Sequence, residues 1–358
     1  PYQRPNAMRT SRTTVTRWRH EIVAGCAIVL LSVLLPGVTA EGGGDVTLFQ
    51  AIPSTTAAPP PLPALYREDH ILRYRLVRID RSLLDATYGP SQRTLCLNAF
   101  PDEPPLMASG HLTQRETGST VFWGSVEGEP YSSVTLVDNG SALVGAVRTS
   151  SALLHIAPVD DGVHAVVALD PSVDDVVDGP PLVIPRSVVL SAQASSTIPA
   201  DDGSTIDVMV VYTARARQAA GGEDALQAQI ALAVEEMNQS LANSNVVPRI
   251  RLVHAAEVAY DDIGWEQDGE YKLVLDLDIP LERIVDPHDG YMDEVHLLRD
   301  TYRADLVSLI VAYEYGAPHC GIATAPVEGY PEDFESQAFS VVEMSCLPGL
   351  TLAHELGH

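Results

Sequence analysis

The most constraining feature of this chain is a change of hydrophobic period across one low-complexity break. Before the break, short β-branched stretches alternate with turn residues; after it, strand-like runs alternate with helix-like ones. The break runs from Asp170 through Asp174, Asp175, Asp178, Pro180 and Pro181 to the Ser/Ala/Thr-rich stretch Ser191 to Ser204. A chain of 358 residues with 46% hydrophobic content has enough apolar material for two domains with their own cores. Its 20% charged content is too low for wholesale disorder.

Ahead of the break, seven stretches read as strands: Ile71 to Ile79, Thr94 to Asn98, Thr120 to Val126, Ser133 to Val137, Ala142 to Arg148, Leu153 to Ala157 and Val163 to Leu169. Turn chemistry separates them, as at Glu127-Gly128-Glu129-Pro130, Asp138-Asn139-Gly140 and Asp160-Asp161-Gly162. That spacing predicts an antiparallel β domain over 65–185. Residues 41–64 are Gly-, Thr- and Pro-rich and predict an extended linker, and 186–204 predict a second one. The acidic run at the break reads as solvated loop; it raises Ca²⁺ only as a compositional candidate, because no ordered ligand spacing is present.

The first forty residues predict export. Residues 1–7 read as upstream translation before Met8, and the basic stretch Arg9 to Arg19 leads into the apolar run Ile22 to Val38. Pro36-Gly37 and the small residues before Glu41 fit a cleaved signal over 8–40, with an uncleaved anchor as the alternative. The expected location is therefore secreted, with no stable membrane association after signal cleavage. The formal net charge is −26, with several of the few basic residues gathered in this leader. So acidic a surface repels phosphate backbones and anionic lipid, which argues against nucleic-acid partners. Cysteine usage agrees with export: once Cys26 leaves with the signal, Cys320 and Cys346 are the natural disulfide. Cys96 then reads as a strand residue, with a metal-blocking thiolate in a latent precursor as the alternative.

After the break, Ile206 to Tyr212 is a buried-strand run, and Leu226, Ile230, Val234, Met237 and Leu241 form one apolar face of a helix over Glu223 to Ala242. Ile250 to Val258, Asp305 to Ala312, Gly321 to Ala325 and Ala338 to Met344 complete five strands, with a shorter helix at Met292 to Arg299. The expected class is α+β, with a five-stranded mixed sheet and long helices behind the β domain. His254, His288, His296 and His319 have no partner at ligand spacing and read as structural or surface residues.

The chemistry is concentrated in Thr351-Leu352-Ala353-His354-Glu355-Leu356-Gly357-His358. His-Glu-x-x-His on a helix puts two imidazoles one turn apart on one face, where they can grip one Zn²⁺. Glu355 then stands beside the metal's open position, where a carboxylate of ordinary basicity can accept a proton from bound water and return it to a leaving amine.

With those residues in hand, the segment from Asp207 onward resembles the reprolysin-like (adamalysin-type) metzincin zinc endopeptidases of secreted bacterial type. The resemblance is carried by Asp207-Val208-Met209-Val210-Val211-Tyr212-Thr213, Ala233 to Ser240, Arg251-Leu252-Val253-His254, Leu297-Leu298-Arg299-Asp300, Ala304 to Ile310, Cys320-Gly321-Ile322-Ala323, Ala338 to Val342 and Ala353 to His358. It implies a zincin-like catalytic domain over 205–358 and a propeptide-like role for the β domain. It further implies His354 and His358 as zinc ligands, Glu355 as general base, and Gly321, Ile322 and Ala323 as an edge strand that pairs with an extended protein or peptide substrate. The family pattern continues to a third His six positions past His358, followed by a Met-containing turn. The chain to His358 is therefore expected to be truncated within the zinc motif and nearly inactive by itself. A gluzincin arrangement with a later Glu ligand, a secreted binding or pseudoenzyme module with a vestigial zinc site, and a structural zinc protein are the alternatives.

Overall fold

The computed structural model describes residues 47–52, 60–86, 91–170, 205–262, 264–267, 270–273, 276–313, 319–325 and 337–358. The upstream residues, the export signal over 8–40, the second linker over 186–204 and Asp174, Asp175 and Asp178 all lie outside these.

The first nine strands form one antiparallel sheet: β1 (Phe49–Ala51), β2 (Ile71–Ile79), β3 (Gln92–Leu97), β4 (Leu106–Gln114), β5 (Thr120–Val126), β6 (Ser133–Asp138), β7 (Leu143–Arg148), β8 (Leu153–Asp160) and β9 (Val163–Leu169). Their order is β1-β2-β9-β8-β7-β6-β5-β4-β3. All seven expected strands are present. β1 falls inside the stretch read as linker, where Leu48 and Phe49 are fully buried and β1 pairs with β2. β4 has no counterpart among the expected strands because its apolar pattern is interrupted by Gly110 and His111. Gly110 is required there, since a Cβ on it would lie 2.6 Å from the Cα of Gly124 on the neighbouring strand.

One face of this sheet closes over its own core, including Val77, Leu95, Phe122, Leu136, Ile156 and Val166. The other face is also buried. Val121, Val137, Val144 and Ala146 pack on Ala228 and Leu232, while Leu153, Ala157, Ala165 and Val167 join the core of the following region. Burial on both faces explains why β6 to β9 read as continuous apolar runs instead of alternating ones.

The second region begins with β10 (Thr205–Tyr212), α1 (Ala214–Ala220) and α2 (Glu223–Asn243), and continues with β11 (Arg249–Glu257), the hairpin β12 (Gly264–Gln267) and β13 (Glu270–Leu273), and α3 (Asp278–Val285). It ends with α4 (Glu294–Tyr302), β14 (Leu306–Val311), β15 (Gly321–Ala323), β16 (Phe339–Glu343) and α5 (Thr351–Glu355). The five-stranded mixed sheet expected from the sequence is present, in the order β11-β10-β14-β16-β15. Four strands run parallel and β15, at the edge, runs antiparallel to β16. Side chains alternate between two cores: Val208, Val210, Tyr212, Ile310 and Val342 meet α1, α2 and α5, whereas Met209, Val211, Leu309, Ile322 and Val341 meet α3 and α4.

The expectation of long helices holds only for α2, whose 21 residues contrast with 5 to 9 in the other described helices. α1 is brief because local signals bound it. The Thr213 side chain accepts from the Ala216 amide at 3.1 Å at its start, and Gly221 adopts a left-handed conformation at its end. On α2 the expected single apolar face is a partial description. Leu226, Ile230, Val234 and Met237 meet the mixed sheet as the period requires, but Ala228, Gln229, Leu232 and Glu236 are buried as well, against the nine-stranded sheet. Each large apolar side chain buried this way contributes about 1.5–3 kcal/mol, so α2 is the element on which both sheets depend.

Candidate metal centre

The chain reaches α5 through a 3-10 turn, Met344–Cys346, set by Glu343 at the end of β16. The Glu343 carboxylate accepts from the Ser345 amide at 2.8 Å and from the Ser345 hydroxyl. Burial pushes this carboxyl above the usual range, while the Ser345 hydrogen bonds pull it back. Cys346 closes the predicted disulfide with Cys320, Cα–Cα 5.5 Å, tying the entry of α5 to the entry of β15. Replacing both cysteines by serine is expected to lower stability in urea by about 3 kcal/mol, from the entropy of the opened loop.

α5 keeps α-helical hydrogen bonding through Leu356, whose amide donates to Leu352 O at 3.1 Å. It then tightens to i→i+3 bonds from Gly357 to His354 and from His358 to Glu355. His358 therefore sits on a tightened final turn, and the imidazoles remain close: the ring centroids are 4.9 Å apart and the planes are nearly perpendicular. Both histidines are exposed, whereas Glu355 between them is only 2% exposed. The glutamate turns inward onto β15, where its side chain lies directly over Gly321.

β15 is the edge of the mixed sheet, as expected for Gly321, Ile322 and Ala323. Its register shows which backbone groups are committed. Glu343 N donates to Cys320 O at 2.9 Å and Thr324 N to Phe339 O at 3.1 Å, which makes 320, 322 and 324 the hydrogen-bonded positions. The N–H and C=O groups of Gly321 and Ala323 point the other way, toward the open edge. Ile322 packs into the core on the α3 side, and Gly321 and Ala323 face α5.

The donor set suits Zn²⁺ in kind: two exposed imidazoles with a carboxylate beside them. Among the described residues no group of three or more His, Cys, Asp or Glu is placed to hold a metal ion. Cys96 is a partly buried residue of β3 and does not join His354 and His358 as a third donor. Nothing among the described residues supports Ca²⁺. Two of the isolated histidines, His254 and His296, have structural partners. His254 stacks on Tyr302 at 3.8 Å between centroids, and His296 Nε2 lies 3.0 Å from Ile284 O.

Two polar clusters behind α5 were not anticipated. Arg148, at the end of β7, forms an ion pair with Glu236 of α2 and donates to Pro348 O at 2.7 Å, just ahead of α5. His155 of β8 is hydrogen-bonded to the Tyr66 hydroxyl and lies beside Gln229 of α2; burial, reinforced by the nearby Arg148 charge, depresses its pKa to about 3. The only sequence signal for either was a polar residue within an otherwise buried run, such as His155 in Leu153 to Ala157.

A pair of imidazoles and a sheltered carboxylate set against an open strand edge is the constellation of a metal-dependent peptidase. Comparison with known proteins supports that class, a metalloendopeptidase. A protein of Xanthomonas campestris pv. campestris named peptidyl-Asp metalloendopeptidase is 27% identical over 362 residues, covering 92% of this chain and 78% of its own length. A Stenotrophomonas maltophilia protein of the same name is 31% identical over 247 residues, or 67% of this chain, and the chain spans about half of that relative's length, 53%. No protein-family model matches the chain. The solved metalloproteinase-II of Bacteroides fragilis aligns with 76% of this chain and 81% of its own at 14% identity and a TM-score of 0.43, too distant a likeness to carry argument.

Proposed function

We propose that this chain is the zinc-dependent part of a secreted, reprolysin-like metzincin endopeptidase, with the nine-stranded sheet in a propeptide-like role. His354 and His358 would hold Zn²⁺, which when bound supplies Lewis acidity toward the scissile carbonyl. Glu355 takes the proton of the attacking water and passes it to the leaving amine. The substrate lies as an added strand along β15, held by the outward groups of Gly321 and Ala323, so binding relies on main-chain groups and tolerates many sequences. The observation that carries the reading is the placement of Glu355, sheltered between two exposed imidazoles and packed on that edge strand.

The test is Glu355→Gln in the full-length gene product, assayed on an unfolded protein and on peptides containing aspartate, the residue in the relatives' name. Hydrolysis is expected to fall on the order of 10²–10⁴-fold, with zinc uptake and fold retained. Unchanged hydrolysis would overturn the mechanism. The alternative reading is a secreted non-catalytic module with a vestigial zinc site. It predicts that Glu355→Gln changes nothing measurable.

A further inference from the structure

We propose that Gly321 is the positioning residue for Glu355: its missing side chain is the slot in which the glutamate lies. This rests on the proposed role of Glu355 in proton transfer and gives Gly321 a task separate from its strand-edge backbone. The glycine is not there for conformational freedom, since its φ lies outside the left-handed region that favours glycine. The need is for space. A Cβ on Gly321 would lie 2.6 Å from the Glu355 Cγ and closer still to its Cδ and Oε1, and these are the three nearest atoms it would meet.

All three belong to the flexible outer part of one side chain, so the glutamate would yield before the backbone did. β15 is itself held by its pairing with β16 and by the Cys320–Cys346 bridge. The carboxylate thus rests directly on the backbone whose outward groups would hold the peptide. Its distance from the bond to be cut is set by main-chain geometry and not by a rotamer. Proton transfer requires heavy-atom approach of about 2.6–3.2 Å, so a displacement by one methyl group is enough to break it. Ala323, the next residue on the same face, is also small and buried.

The experiment uses Gly321→Ala in the full-length gene product, with Glu355→Ala and the double variant completing a cycle. In the parent protein Glu355 should resist carbodiimide labelling, and in Gly321→Ala it should be labelled, as read by peptide mass spectrometry. Zinc uptake should be unchanged. Hydrolysis should fall about 100-fold in kcat with little change in KM, because the strand-edge backbone remains. Any melting penalty of Gly321→Ala should be largely relieved when Glu355→Ala removes the colliding atoms, a coupling that a generally weakened strand would not produce. Unaltered labelling together with additive melting shifts would overturn the proposal. Full activity of Glu355→Gln would instead overturn the proton-transfer reading, and the labelling and melting arms would still decide the slot.

Discussion

Lowering the pH from 6.5 to 4.5 is expected to cost the folded protein about 4 kcal/mol, read as a fall in unfolding free energy by urea titration at the two pH values. His155 and His164 carry most of the effect, to which His254 and His296, also lowered by burial, add in the same sense. Burial lowers His155 from 6.5 to about 3 and His164 from 6.5 to about 4, with the positive charge of Arg148 and Arg81 respectively adding to the shift. Both are almost wholly inaccessible. A folded pKa below the unfolded value means that the unfolded chain takes up the proton first, so stability is complete above about pH 6.5 and is lost as pH falls toward 4 and 3. Each unit is worth about 1.36 kcal/mol per histidine, and a loss of this size is comparable to the whole stability of many domains. Asp262 and Glu343, whose carboxyls are raised chiefly by burial, act in the opposite sense as they protonate and offset part of the loss at the acid end. Because His155 faces α2 and His164 the sheet's own core, His155→Gln should remove about half of the pH dependence. A stability unchanged between the two pH values would sink this account.

Arg148→Met is expected to cost about 3–5 kcal/mol, the usual result of leaving a buried charge without its counter-ion. The Arg148 side chain is 16% exposed and that of Glu236 4%. Arg148→Met with Glu236→Leu should recover most of that loss, because an apolar pair of similar volume avoids the desolvation that both ions suffer. The double variant should not recover the hydrogen bond to Pro348 O. Amide exchange of His354, whose N–H donates to Leu350 O at 2.9 Å, should therefore stay faster than in the parent even when global stability is restored. Equal exchange in the two proteins would show that Arg148 does not steady the entry to α5. The pair of measurements separates a contribution to overall stability from one to the candidate metal centre.

Much of the fold was legible because the signals are local. β-branched runs broken by Asp138-Asn139-Gly140 and Asp160-Asp161-Gly162 marked hairpin strands, and the three- and four-residue recurrence from Leu226 to Leu241 marked α2. The His354, Glu355, His358 triplet was legible for the same reason: its spacing within one helical turn is its geometry. β1 and β4 were not, since three residues in a Gly/Pro-rich stretch and a strand crossed by Gly110 have too little pattern to register. Nor was the second buried face of α2, because small and polar residues such as Ala228, Gln229 and Glu236 are indistinguishable from a solvated face until their partner is known.

The amino-acid order alone determined the two periodicities, the strand and helix inventory that follows from them, the Cys320–Cys346 pairing and the imidazole pair with its acid. Only the tertiary structure decided that both sheets share α2, that Arg148 reaches Pro348 across 200 positions, and that Glu355 lies on Gly321. The reason is physical. A side chain's direction is set by backbone period over a few residues, but what it meets there is set by how layers stack, and stacking joins segments whose spacing along the chain carries no trace of the contact.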